Sequence, residues 1–157
     1  MLKEAIVFKI LLIHGPNLNF LGQREPAIYG KATLERINQR IKRIAEENAA
    51  ELRIFQSNSE GALIDAIQEA HGWADGIVIN PGAYAHYSYA IRDALAAANL
   101  PTIEVHISNV YAREEFRHKS VLSAVVVGCI VGLGWRSYLY GLQSLLGILE
   151  DRQREQE

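Results

Sequence analysis

Residues 10–30 read ILLIHGPNLNFLGQREPAIYG, and the fold turns on how that stretch divides. Val7 to Ile13 is β-branched and leucine-rich apart from Lys9, the composition of a strand covered on both faces. Gly15, Pro16 and Asn17 stop it. The loop that follows is long for a strand-to-helix connection, and such loops are usually either lids or disordered segments. Arg24 and Tyr29 inside it favour a lid over Leu18 to Lys31, with Gly22 and Gly30 able to absorb the backbone change of closure.

Outward from this strand, helix and strand signals alternate to the end of the chain. Thr33 is a candidate N-cap for a helix through about Ala49, with Leu34, Ile37, Ile41 and Ile44 at helical spacing. Glu51 to Gln56 reads as a second strand. Ser57 and Glu60 then read as a capping box opening a helix that turns Leu63, Ile67 and Ala70 to one side. Gly76 to Ile79 is a third strand, ended by Pro81 and Gly82. Ser88 to Ala98 is helical with Ile91 and Leu95 inward, and Thr102 to Ile107 is the fourth strand. Val125 to Val131 makes the fifth, and a last helix runs from about Trp135 to Leu149. The closing EDRQREQE is too polar to pack, so residues 151–157 are expected to be a disordered tail behind a single domain over residues 1–150.

Repeated βα units of this length predict an α/β fold: a flavodoxin-like five-stranded parallel sheet in the order 2-1-3-4-5, with helices on both faces. Ligands of such sheets bind outside the carboxyl ends of the strands, where the winding reverses. Those ends are GPNLN, NPGAY and HISN. Three polar loops are thereby predicted to meet at one crevice.

Composition narrows the function classes. With 157 residues, 49% of them hydrophobic, the chain can bury the core of one domain. Sixteen basic and eighteen acidic residues leave a net charge of −2, which offers nothing to nucleic acid or an anionic membrane. Cys129, the single cysteine, lies in an apolar run and reads as a buried small hydrophobe, compatible with a reducing compartment. MLKEAIVFK is too short in apolar residues for a signal-peptide core, so a cytoplasmic location is expected. Val121 to Trp135 falls short of the ~20 residues of a membrane span and is broken by three glycines, and reads instead as a buried strand entering a helix.

Several side chains at the predicted strand ends can carry chemistry, and each has a plainer alternative. Asn17 and Asn80, from Gly-Pro-Asn and Asn-Pro-Gly, would stand side by side as neutral amides able to hold a carbonyl or hydroxyl; each tripeptide alone is an ordinary turn signal. Glu104 and His106 share one face of the fourth strand. A carboxylate there needs a partner, and pairing with His106 would fix the tautomer of a general acid or base, although a purely structural pair fits equally. His86 could be a simple loop histidine. Arg113 and Arg117 would share one side of a short helix if one forms, or belong to a solvated face. Tyr29 beside Arg24 is a candidate base, provided cations stabilise its anion against desolvation; Arg113 could be the second. No GxSxG, no activated cysteine, no zinc spacing and no phosphate-cradling glycine loop is present. The aspartate that a response-regulator domain needs at the end of strand three is Asn80 here.

HGPNLN, LGQREPAIYG, NPGAYAH, AIRDAL, EVHISNVYAREEFRHKS and the GLG at Gly132 to Gly134 occur in this order. In that combination, from about Ile10 to Leu149, the chain resembles the type II 3-dehydroquinate dehydratases of the shikimate pathway. The resemblance implies a hydro-lyase without cofactor or metal, assembled as a homo-dodecamer of four trimers, that eliminates water from the small molecule 3-dehydroquinate. It makes Tyr29 the base as tyrosinate, with Arg24 and Arg113 stabilising its anion, and Asn17 the stabiliser of the enolate through a water. His106, oriented by Glu104, becomes the acid. Asn80, Ile107, Ser108, His86 and Arg117 become substrate ligands, and Asp93 is matched to a residue reaching a neighbouring subunit's site. Phe20 stands where Leu is expected and Tyr87 where Thr or Ser is common. An FMN carrier or a non-catalytic assembly module could share the sheet, but neither accounts for Arg24, Tyr29, Glu104 and His106 together.

Overall fold

The first strand, β1 (Lys9–His14), sends side chains alternately to two faces, and both are apolar: Ile10 and Leu12 enter one core, Leu11 and Ile13 the other. It can therefore only sit in the middle of a sheet with helices on both sides. The computed structural model, which describes residues 4–157, has that arrangement. Met1 to Lys3, the start of the N-terminal extension, lie outside the described residues. Five parallel strands run in the order β2-β1-β3-β4-β5, with β2 at Glu51–Gln56, β3 at Gly76–Asn80, β4 at Thr102–His106 and β5 at Gly128–Val131.

A single helical turn, α1 (Pro26–Tyr29), interrupts the loop after β1, and α2 (Leu34–Glu47) follows. Thr33 caps α2 by accepting from the Arg36 amide at 3.2 Å, and Ile37, Ile41 and Ala45 form its buried stripe. With α5 (Arg136–Glu155) it covers one face of the sheet. The other face is covered by α3 (Glu60–Ala70), through Leu63 and Ile67, and by α4 (Tyr89–Ala98), through Ile91 and Leu95. At Gly141, α5 comes so close to β4 that a Cβ would stand 2.7 Å from Val105 Cγ1.

Four expectations need correction. The cap of α3 is Ser59, whose hydroxyl accepts from Ala62, while Ser57 accepts from the Ser59 amide and Glu60 accepts the Ser88 hydroxyl at 2.6 Å. Serines two apart offer the same short-range signal, and the chain took the later one. No α-helix joins β4 to β5; the 3-10 turns Val110–Ala112 and Glu115–His118 replace it, because Asn109 accepts from the Tyr111 amide and Arg113 is extended between them. The segment expected to be a disordered tail continues α5 to Glu155. Arg, Glu and Gln are good helix formers, and extending an existing helix requires no new nucleus. Finally, Cys129 is exposed, and β5 is only partly covered, because it is an edge strand of the sheet. No helix among the described residues is long and apolar enough to cross a membrane.

Candidate active site

The carboxyl ends of β1, β3 and β4 open into one cavity of about 120 Å³. Its floor depends on close contact between two loops. The Gly15 amide donates to the Asn80 carbonyl at 2.7 Å. Gly82, at φ +57, passes so near Pro16 that a Cβ would lie 3.1 Å from the Pro16 oxygen, so glycine suits both the backbone and the approach. Ten predicted site residues line the cavity: Asn17, Arg24, Tyr29, Asn80, His86, His106, Ile107, Ser108, Arg113 and Arg117.

One wall comes from the loop after β1. Arg24 Nη2 donates to the Tyr29 hydroxyl at 3.0 Å, and the guanidinium carbon lies 4.4 Å from the ring centroid. Arg113 stands 5.1 Å from the same centroid. It donates through Nη1 to Ser108 Oγ at 3.1 Å, while its buried Nε has no hydrogen-bond partner. Two cations thus bracket one phenol. Asn17, in the left-handed region at φ 68, is held by its backbone amide, which donates to Asn58 Oδ1 at 2.9 Å.

A second wall is the end of β4. His106 Nε2 lies 2.6 Å from Glu104 Oε2, and the second Glu104 oxygen accepts the Ser120 hydroxyl at 2.7 Å. Glu104 is fully buried, so these partners meet the requirement that its position in the sheet imposes. It stands behind His106 and does not itself line the cavity. The Gly132 and Gly134 amides donate to the His106 and Ile107 carbonyls, so the GLG turn pins this strand end. His86 stacks on His106 with ring centroids 6.3 Å apart, and its Nδ1 donates to the Lys119 carbonyl at 2.8 Å. Desolvation lowers the His86 pKa from the ordinary imidazole value, which favours a neutral ring with Nε2 as acceptor. Glu104, His106 and Cys129 bring donor atoms within 4.8 Å of one another. Both Glu104 oxygens are already occupied, and, although part of Cys129 reaches solvent, desolvation of its thiol against the sheet and the Glu104 charge push it up to about 12, so the trio is ill suited to a metal ion.

Arg113 and Arg117 do not share a helix, yet both reach the cavity. Arg117 Nε donates to Glu114 Oε2 at 2.7 Å. Asn80 and Asn17 line the same cavity, but Asn80 is turned into the protein: Nδ2 donates to the Tyr138 hydroxyl at 2.8 Å and Oδ1 accepts from the Gly82 amide at 3.2 Å. Asp93 is exposed on α4 and does not line the cavity of its own chain. Phe20 and Tyr87 are also exposed. The sequence reading missed Asn58, Ser120, His14 and Tyr138. A signal existed for His14, since the argument that an ionisable group on a doubly covered strand needs a partner applies to it as it does to Glu104. For the others there was none.

Comparison with known proteins places the chain in a family. The family model described as Dehydroquinase class II matches residues 8–146. The 3-dehydroquinate dehydratase of Roseiflexus castenholzii is 59% identical over 88% of each chain. That of Acaryochloris marina is 55% identical over 90% of this chain and 95% of its own. The crystal structure of a type II dehydroquinase from Butyrivibrio crossotus superposes with a TM-score of 0.87 at 55% identity, covering 88% of this chain and 97% of the other. With a family match spanning all five strands and the motif loops at the sheet's carboxyl edge, the chain belongs to the class II dehydroquinase family.

Proposed function

We propose that the chain is a 3-dehydroquinate dehydratase that performs an anti elimination through an enolate. The observation that carries this reading is the meeting, in one cavity, of a phenol bonded to Arg24 at 3.0 Å and an imidazole anchored to a buried carboxylate at 2.6 Å. An anti elimination needs a base and an acid on opposite sides of the substrate ring.

Tyr29, as tyrosinate stabilised by Arg24 and Arg113, removes the C2 proton next to the ketone. The electrons of that bond move into an enolate at the C3 oxygen, which Asn17 stabilises through a water. The C1–O bond then breaks as His106 gives a proton to the hydroxyl, the C1–C2 double bond forms, and water leaves. With Nε2–H committed to Glu104, Nδ1 of His106 is the nitrogen that holds and delivers this proton. Asn80 holds the departing hydroxyl, Ile107 and Ser108 offer donors to the carboxylate, and His86 and Arg117 take the ring hydroxyls. We further infer a homo-oligomer, a dodecamer of four trimers, in which the exposed Asp93 meets Arg117 of a neighbour.

The test is direct. Purified protein given 3-dehydroquinate should generate the ultraviolet absorbance of a conjugated enone, and sedimentation of the active species should give a mass near twelve chains. No absorbance change with correctly folded protein would refute the reaction; full activity from a monomer would refute the role of Asp93.

A further inference from the structure

Behind the cavity lies a buried polar chain that the proposed mechanism does not use. His14 and Tyr138 are both fully buried, at the end of β1 and on the first turn of α5. His14 Nδ1 lies 2.8 Å from the Tyr138 hydroxyl, and His14 Nε2 lies 2.7 Å from Asn38 Oδ1 on α2. The Tyr138 hydroxyl in turn accepts from Asn80 Nδ2. The direction of every bond follows from one group that cannot reverse, the backbone N–H of Gly82. It can only donate, so the Asn80 atom it meets is the oxygen and the other end of that amide is the nitrogen. With Asn80 donating to its oxygen, Tyr138 directs its own hydrogen to His14 Nδ1, and His14 carries its proton on Nε2, facing the Asn38 oxygen. Each donor has an acceptor, and the chain runs one way from the cavity to α2.

We propose that His14 and Tyr138 are positioning residues for Asn80: the Gly82 amide decides which end of the Asn80 amide is nitrogen, and the Tyr138 hydroxyl, oriented by His14, holds that nitrogen in place so that its second hydrogen is presented to the ligand. The inference rests on the reading of Asn80 as a ligand of the departing hydroxyl. Without the Tyr138 acceptor the amide would be tethered only through its oxygen and could swing about the Gly82 bond, carrying its free hydrogen away from the ligand. A polar network satisfied throughout is rigid, whereas one broken link leaves several groups unpaired.

The experiment compares Asn80→Ala, Tyr138→Phe, the double variant, His14→Leu and His14→Asn by steady-state kinetics with 3-dehydroquinate, on protein whose assembly and melting temperature have been checked. Tyr138→Phe removes one oxygen, and should reproduce the split between kcat and KM of Asn80→Ala, with about a tenfold loss in kcat/KM. The double variant should be no worse than Asn80→Ala alone. His14→Asn retains an acceptor near the Nδ1 position and should keep most of the activity; His14→Leu should resemble Tyr138→Phe. A lower melting temperature alone would not produce this pattern. Wild-type kcat and KM in Tyr138→Phe and His14→Leu, beside an impaired Asn80→Ala, would overturn the inference and leave the reading of Asn80 standing. A kinetically silent Asn80→Ala would remove both. Should Tyr138→Phe fail to assemble, the two His14 variants, which keep the Tyr138 hydroxyl, decide the question, and equal losses in both would overturn it.

Discussion

The two walls of the cavity are built in different ways. Glu104 and Asn80 are at most 3% exposed, each has its side-chain polar atoms bonded within the protein, and both sit on central strands. On the other wall, α1 buries none of its residues, Arg24 is 29% exposed at its side chain, and the turn opens from Glu25 at a positive φ of 32. The proposed acid is therefore held by the core and the proposed base by a few local contacts. A wall with little buried apolar area opens at small free-energy cost, while strands bonded on both sides open only with global unfolding. The contrast suits an enzyme that must admit a polar ring and then surround it.

The sharpest way to break this contrast is at the phenol. Tyr29→Phe removes one hydroxyl from a half-buried side chain, so melting temperature should hardly change while kcat falls by ~10²–10⁴-fold. A variant within threefold of wild type would show that the exposed wall carries no chemistry.

Acid titration probes the buried side. Desolvation lowers His14 from 6.5 to about 4, so between those values the unfolded chain binds a proton that the folded chain refuses. Stability is full above pH 6.5 and should fall by about 3 kcal/mol as the pH drops to 4. In His14→Asn that contribution disappears, and the slope of denaturation midpoint against pH over this window should flatten. An unchanged slope would mean that the buried imidazole is not what ties this wall to pH.

A smaller effect is expected at Ser120. Ser120→Ala leaves one oxygen of a buried carboxylate unpaired, a loss of about 1–3 kcal/mol in stability. Turnover should fall by roughly tenfold or less, because His106 keeps its own bond to Glu104. If Ser120→Ala and Glu104→Gln multiplied rather than overlapped in the double variant, the three residues would not act as a unit.

The mildest test leaves the sequence intact. Amides over residues 23–30 should exchange rapidly in the free enzyme and become protected when a product analogue binds, while those of β3 and β4 remain protected in both states. Equal protection of residues 23–30 with and without the analogue would remove the distinction between a movable and a fixed wall.

The amino-acid order alone was enough to place most of the frame. The doubly apolar β1 demanded a central strand, alternating periods demanded helices on both sides, and Thr33 and Ser88 marked two helix starts because a hydroxyl next to an apolar stripe is a local signal. Glu104 and His106 were legible as a pair for the same reason, since the two-residue period of a strand is independent of what surrounds it. Motif order also named ten of the residues that line the cavity. The continuation of α5 to Glu155 was hidden because polar helix formers look alike in a tail and in a helix already nucleated elsewhere. Tertiary structure alone decided that Cys129 lies on an exposed edge, that Ser120 reaches Glu104, and that His14 meets Tyr138 across 124 positions of chain. Such contacts follow from which elements pack side by side, and no pattern within either segment encodes its distant partner.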